Sequence, residues 1–273
     1  MKNSKSLYAV TLIMLTLLAG CTSSGKVSSL LFSPSDDRAL GKQVSEEIAA
    51  NPQEYPLLSE AQYPAAYRYL NAMRDRILAS NDVDYLKEFA WELKIIRDDD
   101  MLNAFATPGG YIYVYTGLIK YLDNADDLAG VMGHEIAHAD RRHSIKQLEK
   151  RYGINLLLSI ALGQDPSQLA QIAAQLAGTG AILKFSRDAE EEADEYSVKY
   201  LADTEYACNG AATFFAKLLN EGKAGGTPEF LSTHPSPKSR VSDINELASK
   251  INCETALTNE TGMTYADFIA ALP

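Results

Sequence analysis

Two histidines and a glutamate in the pattern His134-Glu135-Ile136-Ala137-His138 could together hold a metal ion and activate water. The pattern lies in a stretch with helical periodicity. Residues four apart in an α-helix are separated by only about 40° around its axis, so both imidazoles would project from one face. Two neutral histidines on one face can bind one Zn²⁺ ion. Glu135 would then lie beside the metal as a general base rather than as a ligand.

The other histidines do not complete such a site through helical spacing. Metalloproteases with a third histidine ligand carry a glycine three residues and a histidine six residues after the second ligand. This chain has Arg141 and Ser144 at those positions, which excludes that class. His143 follows His134 by nine residues, half a turn away on a continuous helix, and is expected at the surface.

An acidic stretch, Ser186–Asp194, offers the third protein ligand that a catalytic zinc site needs. Glu190 and Asp194 are four residues apart, so one carboxylate could bind the metal while the other accepts the distal N–H of a ligating histidine. Ala193 between them would allow two helices to pack closely. Helical geometry alone does not separate Glu190 from Glu191, because either falls near the Asp194 face.

The elements that would position these residues are mostly helical. Periodicity predicts helices near 35–48, 64–79, 125–150, 154–162, 167–183, 189–202, 210–221 and 238–251, and strands at 89–96 and 111–115. The fold class is therefore α+β, mostly helix with one small sheet. The apolar stretches 154–162 and 167–183 are interpreted as buried core helices, with contact at a membrane interface as the alternative. Small residues beside the two histidines, Gly133, Ala137 and Ala139, predict close approach by a second helix.

The N-terminus has the pattern of a secretory signal. Two lysines precede an apolar run, Tyr8–Ala19, that is too short to span a bilayer. The Leu-Ala-Gly-Cys sequence that ends at Cys21 resembles the bacterial lipobox, in which the signal is cut before a cysteine that receives lipid. We expect residues 1–20 to be a lipoprotein signal peptide, Cys21 to carry lipid and 21–34 to be a tether. An ordinary signal with a chance cysteine is the alternative.

Composition and charge restrict the class of partner. The chain has 273 residues, of which 46% are hydrophobic and 22% charged, an ordinary globular composition. Acids outnumber bases, with 36 Asp plus Glu against 25 Lys plus Arg, and the sequence has no basic stripe. A nucleic-acid partner is therefore disfavoured.

The three cysteines are consistent with a lipid anchor, because lipid on Cys21 leaves Cys208 and Cys253 as a pair. In an oxidising compartment such a pair can form a disulfide. Each of the two lies at the end of a predicted helix, where two backbones can approach one another. Two buried free thiols are the alternative.

Four segments together carry a family resemblance. They are the helix 133–139, Ser186–Asp194 with its Ser-Arg-x-x-Glu-x-x-Ala-Asp pattern, Asn103–Gly110, and Thr233-His234-Pro235. Their order and spacing over residues 35 to about 250 resemble the zinc peptidase family of the CAAX prenyl protease and HtpX, and most closely its periplasmic lipoprotein members. The resemblance implies a gluzincin-like domain over 35–251 with a small sheet beside the active-site helix, followed by a C-terminal tail at 252–273.

The resemblance also implies a ligand set. One Zn²⁺ per chain would be bound by His134, His138 and Glu190, because the family's third ligand is the first glutamate of the Glu-x-x-Ala-Asp segment. Asp194 would support a ligating histidine. His234 would stabilise the oxyanion or act as a reversible fourth zinc ligand. Arg240 would share that charge stabilisation or brace an acidic neighbour.

An extended substrate would bind beside this metal. Asn103–Gly110 with the following Tyr111–Tyr115 resembles the family's edge strand, which pairs with a peptide through main-chain hydrogen bonds. The expected substrate-binding residues are Asn103, Ala104, Phe105 and Ala106. An ordinary edge strand blocked by a loop is the alternative.

The expected function is that of a zinc-dependent endopeptidase acting on unfolded or misassembled cell-envelope proteins, with Glu135 as general base. The protein would be anchored by lipid at the periplasmic face of the outer membrane. Its partners would be polypeptide substrates and the membrane that holds the lipid, and the oligomeric state stays open. Two alternatives are a chaperone or adaptor lipoprotein with little turnover and a metallo-aminopeptidase. The second would need an acidic group to capture a free N-terminus.

Overall fold

The computed structural model describes residues 32–176, 185–222, 229–234 and 237–273. The predicted signal peptide, Cys21 and nearly all of the predicted tether lie outside these ranges. From Pro34 to Pro273 the described residues form one compact unit.

Helices dominate this unit, as the periodicity predicts. In chain order the elements are α1 (Pro34–Ala50), α2 (Pro64–Leu78), β1 (Glu92–Ile96), β2 (Ala104–Thr107), β3 (Tyr111–Tyr115), α3 (Thr116–Tyr121), α4 (Ala125–Asp140), α5 (His143–Tyr152), α6 (Ile154–Ala161), α7 (Pro166–Leu176), α8 (Arg187–Ala202), α9 (Gly210–Asn220), α10 (Glu229–Thr233), α11 (Pro237–Ile251) and α12 (Tyr265–Ala270). The α+β class with one small sheet is confirmed.

The sheet has the strand order β1-β3-β2, so β3 is central and β2 is an edge strand. β3 is parallel to β1 and antiparallel to β2, which places Tyr113 opposite both Lys94 and Phe105. The predicted strand at 89–96 begins three residues late, at Glu92, because Trp91 has a positive φ of 49° and cannot continue an extended chain. The turn between β2 and β3 contains Gly110, where a Cβ would come within 2.8 Å of the Trp91 ring.

Helix α4 carries the His-Glu-x-x-His motif and is buried along its whole length. Asn124 caps its N-terminus, where the side chain accepts a hydrogen bond from the Asp127 N–H at 2.9 Å. A Cβ on Gly133 would lie 2.8 Å from Ser197 Oγ of α8, and one on Gly130 would lie 2.1 Å from the Ala211 nitrogen of α9. The predicted close approach of a second helix at Gly133 is confirmed.

The predicted continuous helix at 125–150 is wrong, because the chain breaks between α4 and α5. Arg142, just before α5, has a φ of 59° in the left-handed region. Its guanidinium forms a buried bidentate pair with Asp37 of α1, at 2.7 and 2.8 Å. Asp140 at the end of α4 accepts hydrogen bonds from the Tyr85 N–H at 2.8 Å and the Tyr200 hydroxyl at 2.7 Å. These long-range polar contacts hold the break in place.

The apolar helices α6 and α7 both pack against α1. One face of each is buried, through Leu157 and Ile160 in α6 and Ile172 and Leu176 in α7, as expected for core helices. Residues 177–183 of the predicted helix lie outside the described residues. Among the residues that the structure describes, no helix is both long and apolar enough to span a membrane.

Residues 252–273, expected to form a C-terminal tail, belong to the same compact unit. Thr264 caps α12, and the apolar face of that helix buries Tyr265 and Phe268. The Tyr265 hydroxyl donates to the Ile119 carbonyl at 2.6 Å, and the Phe268 ring stacks on Tyr69 at 4.5 Å. Helix α12 therefore contributes to the core.

A disulfide joins Cys208, just before α9, to Cys253, just after α11, with the two Cα atoms 6.2 Å apart. This separation lies within the range of about 4.4–6.8 Å that disulfides usually span. The Cys208 N–H also donates to the Glu254 carbonyl at 2.8 Å, so backbone and side chain hold the same junction. The bond spans 45 residues and encloses His234 and Arg240.

We expect reduction of this disulfide to lower the free energy of unfolding by up to about 4 kcal/mol, the chain-entropy value for a loop of this length. Urea unfolding with and without reductant measures the effect. Cys208→Ala, Cys253→Ala and the double variant should lose similar amounts and should not respond to reductant, and bound metal should be retained. Equal stability of the reduced and oxidised wild-type protein would contradict the prediction.

Candidate metal centre

Four buried side chains converge on one point. His134 and His138 come from α4, Glu190 from the first turn of α8 and His234 from the residue after α10. Each offers a ligand atom, and these atoms all lie within 4.8 Å of one another. All four histidines of the chain lie in or beside this cluster, since His143 contacts His138.

The distances within the cluster match those of a tetrahedral site. Nε2 of His134 lies 3.0 Å from His138 Nε2 and 3.3 Å from His234 Nδ1. Glu190 Oε1 lies 3.0 Å from His234 Nδ1 and 3.6 Å from His138 Nε2. Four ligand atoms around a tetrahedral zinc, each about 2.0–2.1 Å from the metal, are about 3.3 Å apart. The nitrogen and carboxylate donors therefore fit a small divalent cation.

Local structure places each ligand. Ser186 caps α8, where its Oγ accepts from the Ala189 N–H at 3.3 Å, and this fixes the helical turn that carries Glu190. The His234 ring stacks on Phe230 at 4.3 Å, and the backbone N–H of His234 donates to the Phe230 carbonyl at 2.8 Å. The Phe230 N–H in turn donates to the Leu102 carbonyl at 3.2 Å, just before β2.

Asp194 and Arg240 form a buried bidentate pair behind the cluster. Nε and Nη2 of Arg240 each donate to the Asp194 carboxylate at 2.6 Å. The same carboxylate lies 2.9 Å from His134 Nδ1, and Arg240 Nη1 lies 2.8 Å from Glu190 Oε2. Asp194 therefore contacts Nδ1 of His134, on the side of the ring away from the cluster, while Arg240 pairs with both acids.

The electrostatics of the cluster suit metal binding. Burial and the neighbouring His134 lower the pKa of His138 well below its usual value, so its imidazole is neutral. Burial would raise the pKa of Glu190, but the charges of His234 and Arg240 outweigh it and the pKa falls well below the usual range. The pKa of Asp194 is lowered in the same way by Arg240. Metal ligands need these states, a neutral imidazole and an ionised carboxylate.

Glu135 lies beside the cluster with a buried carboxylate. It accepts a hydrogen bond from the Ala106 N–H, while its Oε1 makes none with any residue that the structure describes. Burial raises the pKa of Glu135 to about 8. The ionised carboxylates of Glu190 and Asp194 face the one guanidinium of Arg240, so one negative charge remains. A divalent cation would balance this charge and would favour the ionised form of Glu135.

The edge strand β2 runs alongside Glu135 and contains most of the expected substrate-binding residues. The Tyr115 N–H donates to the Asn103 carbonyl, and alternation along an antiparallel pair then directs the backbones of Ala104 and Ala106 towards the free edge. Ser144 Oγ donates to the Ala106 carbonyl at 3.4 Å. A cleft of about 20 Å³ lies here, enough for about one water molecule, and its lining includes Phe105, Ala106, Glu135, Gln175, Leu176 and His234.

One histidine lies elsewhere than simple periodicity suggests, and one open choice between two glutamates is narrowed. His143 is only 3% exposed and contacts His138, so the prediction of a surface histidine is wrong. His143 is buried because the helix breaks at Arg142, and the change in chain direction brings His143 against His138 of α4. Glu190 is buried at the cluster and Glu191 is exposed, which separates the two candidates that helical geometry leaves open.

A family model described as peptidase family M48 matches residues 64–248. The mitochondrial metalloendopeptidase OMA1 of Schizosaccharomyces pombe is 34% identical over 180 residues, which cover 65% of this chain and 52% of that protein. The putative beta-barrel assembly-enhancing protease of Vibrio cholerae is 33% identical, over 68% of this chain and 40% of its own. The beta-barrel assembly-enhancing protease of Escherichia coli is 30% identical, over 72% and 41%. The chain thus spans about half or less of the length of these relatives.

The positions of the two neighbouring glutamates give a direct test of the ligand set. We expect Glu190→Ala to weaken metal binding by more than the roughly 10–100-fold typical of losing an outer-shell partner, because a buried ligand is removed. Glu191→Ala should keep full metal occupancy, since this side chain is exposed. Metal analysis after dialysis, with urea unfolding to verify the fold, measures both. Full occupancy in Glu190→Ala with an empty Glu191→Ala site would move the ligand to Glu191.

Proposed function

The chain belongs to peptidase family M48, as the sequence motifs predict, and we propose on this basis that it is a zinc-dependent endopeptidase acting on unfolded or misassembled cell-envelope proteins. The observation that carries this proposal is the position of Glu135. Its buried carboxylate lies next to a four-donor cluster and also touches the edge strand that would hold a peptide. A site that only bound a metal would not need a buried carboxylate between the metal ligands and an edge strand.

Zinc suits the donor set better than other common divalent cations. Three imidazole nitrogens and one carboxylate oxygen in a compact, roughly tetrahedral arrangement are typical zinc ligands, whereas magnesium and calcium prefer oxygen ligands in larger numbers. His134, His138 and Glu190 would hold the ion. When bound, it would polarise the scissile carbonyl and lower the pKa of a water molecule to about 7.

Glu135 would move the protons in this reaction. Its free Oε1 would take a proton from the attacking water and deliver it to the leaving amine. Its burial, which raises the carboxyl pKa, favours holding that proton between the two steps. The second Glu135 oxygen would stay oriented by the Ala106 N–H, so the carboxylate could face the substrate without rotating freely.

The position of His234 supports a role as fourth ligand in the resting enzyme. Its Nδ1 lies among the donors of His134 and Glu190, and its Nε2 is 3.5 Å from Glu135 Oε1. Release of His234 would open a corner of the site to water. The freed imidazole would remain near the scissile carbonyl, where it could stabilise the oxyanion.

An extended polypeptide would bind along β2. The backbone groups of Ala104 on the free edge would pair with any sequence, because main-chain hydrogen bonds do not depend on side chains. The Ala106 N–H would stay with Glu135 and not take part in this pairing. The cleft of about 20 Å³ cannot hold a peptide, so Gln175 and Leu176 of α7 must move aside first. Asn103 and Phe105 would complete the groove from the neighbouring positions of the strand.

The N-terminal sequence and the relatives support the envelope as the site of action. The lipobox-like sequence would anchor Cys21 by lipid, and two relatives are described as beta-barrel assembly-enhancing proteases. The residue after Cys21 is Thr22, which is not an acidic retention signal, so the anchor would lie in the outer membrane, facing the periplasm. The disulfide also agrees with an oxidising compartment.

We expect Glu135→Gln to retain one zinc per chain and to lose about 10²–10⁴-fold in kcat/KM on an unfolded protein substrate, because only the base is removed. A fluorogenic casein assay with metal analysis measures both quantities, and Glu191→Gln is the matched control. Chelation should abolish cleavage and zinc should restore it. A wild-type protein that binds unfolded chains without cleaving them would favour the chaperone alternative.

Lipidation has its own test. Expressed in a diderm bacterium, the full-length chain should yield a mature protein beginning at an acylated Cys21 that separates with the outer membrane, and Cys21→Ser should appear as unacylated protein. Intact mass spectrometry and membrane fractionation measure this. An unmodified N-terminus on the wild-type protein would remove the claim without affecting the peptidase proposal.

A further inference from the structure

We propose that His143 is a positioning residue that fixes the tautomer and ring orientation of His138 through a relay ending at Glu192. The inference rests on the proposed function, because it assigns His138 as a metal ligand. It rests on two contacts that the catalytic scheme above does not use, one between His143 and His138 and one between His143 and Glu192. His143 itself lies outside the donor cluster.

The contacts form a continuous chain. Nδ1 of His143 lies 3.0 Å from Nδ1 of His138, and Nε2 of His143 lies 3.1 Å from Glu192 Oε2. Glu192 Oε1 accepts a hydrogen bond from Arg141 Nε at 2.8 Å. His138 and His143 are almost fully buried, with exposed fractions of 1% and 3%. Both imidazoles are therefore shielded from water, and each ring nitrogen needs a partner within the protein.

The chemistry of these atoms allows one consistent arrangement of protons. Nε2 of His138 points into the donor cluster, so a metal ligand role requires the lone pair on that nitrogen and the proton on Nδ1. His138 Nδ1–H must then donate to His143 Nδ1. His143 accordingly carries its own proton on Nε2 and donates it to Glu192, whose carboxylate can only accept.

The two ligand histidines of α4 thus have parallel supports. His134 Nδ1 lies 2.9 Å from the Asp194 carboxylate, which Arg240 holds. His138 is linked to the Glu192 carboxylate through the imidazole of His143. Arg141 donates a hydrogen bond to that carboxylate. A carboxylate behind a ligating histidine orients the ring and increases its basicity as a ligand. His143 extends this support from the buried His138 to Glu192, whose side chain is 33% exposed.

The backbone gives an independent reason to assign this role. On an uninterrupted helix the side chain of His143 would point well away from that of His138, five residues before it. The left-handed conformation of Arg142 redirects the chain and brings the two rings to a centroid distance of 4.9 Å. A non-glycine residue in that region is strained, and such strain is often kept where it serves a site. Here it serves the contact between the two imidazoles.

Two amide substitutions separate the two ends of the relay. In His143→Asn the amide oxygen takes the place of Nδ1 and can accept from His138, whereas in His143→Gln the amide nitrogen takes the place of Nε2 and faces Glu192. We expect the zinc dissociation constant, measured by chelator competition, to stay near that of the wild type in His143→Asn. It should rise about 10–100-fold in His143→Gln and in His143→Leu. If the Leu variant fails to fold, the Asn and Gln pair still decides.

The far end of the relay is tested with neighbouring glutamates. Glu192→Leu should raise the zinc dissociation constant, by less than His143→Leu does, and the exposed Glu191→Leu should leave it unchanged. Equal constants for the two glutamate variants would overturn the assignment of Glu192. Equal constants for wild type, His143→Gln and His143→Leu would overturn the role of His143.

Histidine tautomers give a readout independent of activity. The chain has only four histidines, so selective ¹⁵N labelling of the full chain yields a small set of imidazole signals. We expect His138 to carry its proton on Nδ1 and His143 on Nε2 in the zinc-loaded protein. A proton on His143 Nδ1 would overturn the relay. A wild-type protein that binds no zinc would instead remove the proposed function on which the relay rests.

Discussion

The buried pair between Asp194 and Arg240 is the interaction on which the geometry of the site depends. Ionised groups cost several kcal/mol each to bury, and that cost is offset only when each one meets a partner of opposite charge in good geometry. Asp194 meets both Arg240 and His134, and Arg240 also meets Glu190. Helices α4, α8 and α11 therefore meet where these charged side chains pair. Loss of Arg240 would leave the buried carboxylates of Asp194 and Glu190 without their cation.

The same constraint explains why α4 lacks an amphipathic pattern. Every residue of this helix is buried, including Asp126, Asp127, His134, Glu135, His138 and Asp140. A helix usually shows one polar face because that face meets water, whereas here other elements of the protein meet the polar groups. Asp126 accepts from the Ala207 N–H at one end, and Asp140 accepts from Tyr85 and Tyr200 at the other. The helix is fixed at both ends by polar contacts and in the middle by close packing at Gly130 and Gly133.

Local pattern was enough to predict the family, the α+β fold and the face that carries His134 and His138, and these are confirmed. The break at Arg142 was not predictable, because neither glycine nor proline marks it and its partner Asp37 lies 105 residues away. His143 was misplaced for the same reason. Strand β2 is only four residues long, too short for alternation to identify, and only the family resemblance indicated it. The roles of the individual site residues stay predictions that the variants above address.

The narrow cleft beside β2 has a consequence for selectivity that needs no recognition motif. A space of about 20 Å³ excludes a folded domain, and on the proposed function it would have to widen to take even one extended segment. On the proposed function, a client protein could be cut only during the moments when it opens locally. When opening and closing are fast relative to cleavage, the rate follows the population of the open form and hence the client's own opening free energy. A client destabilised by 1.4 kcal/mol would then be degraded about tenfold faster, so the marginal stability of each client would serve as the criterion for its removal.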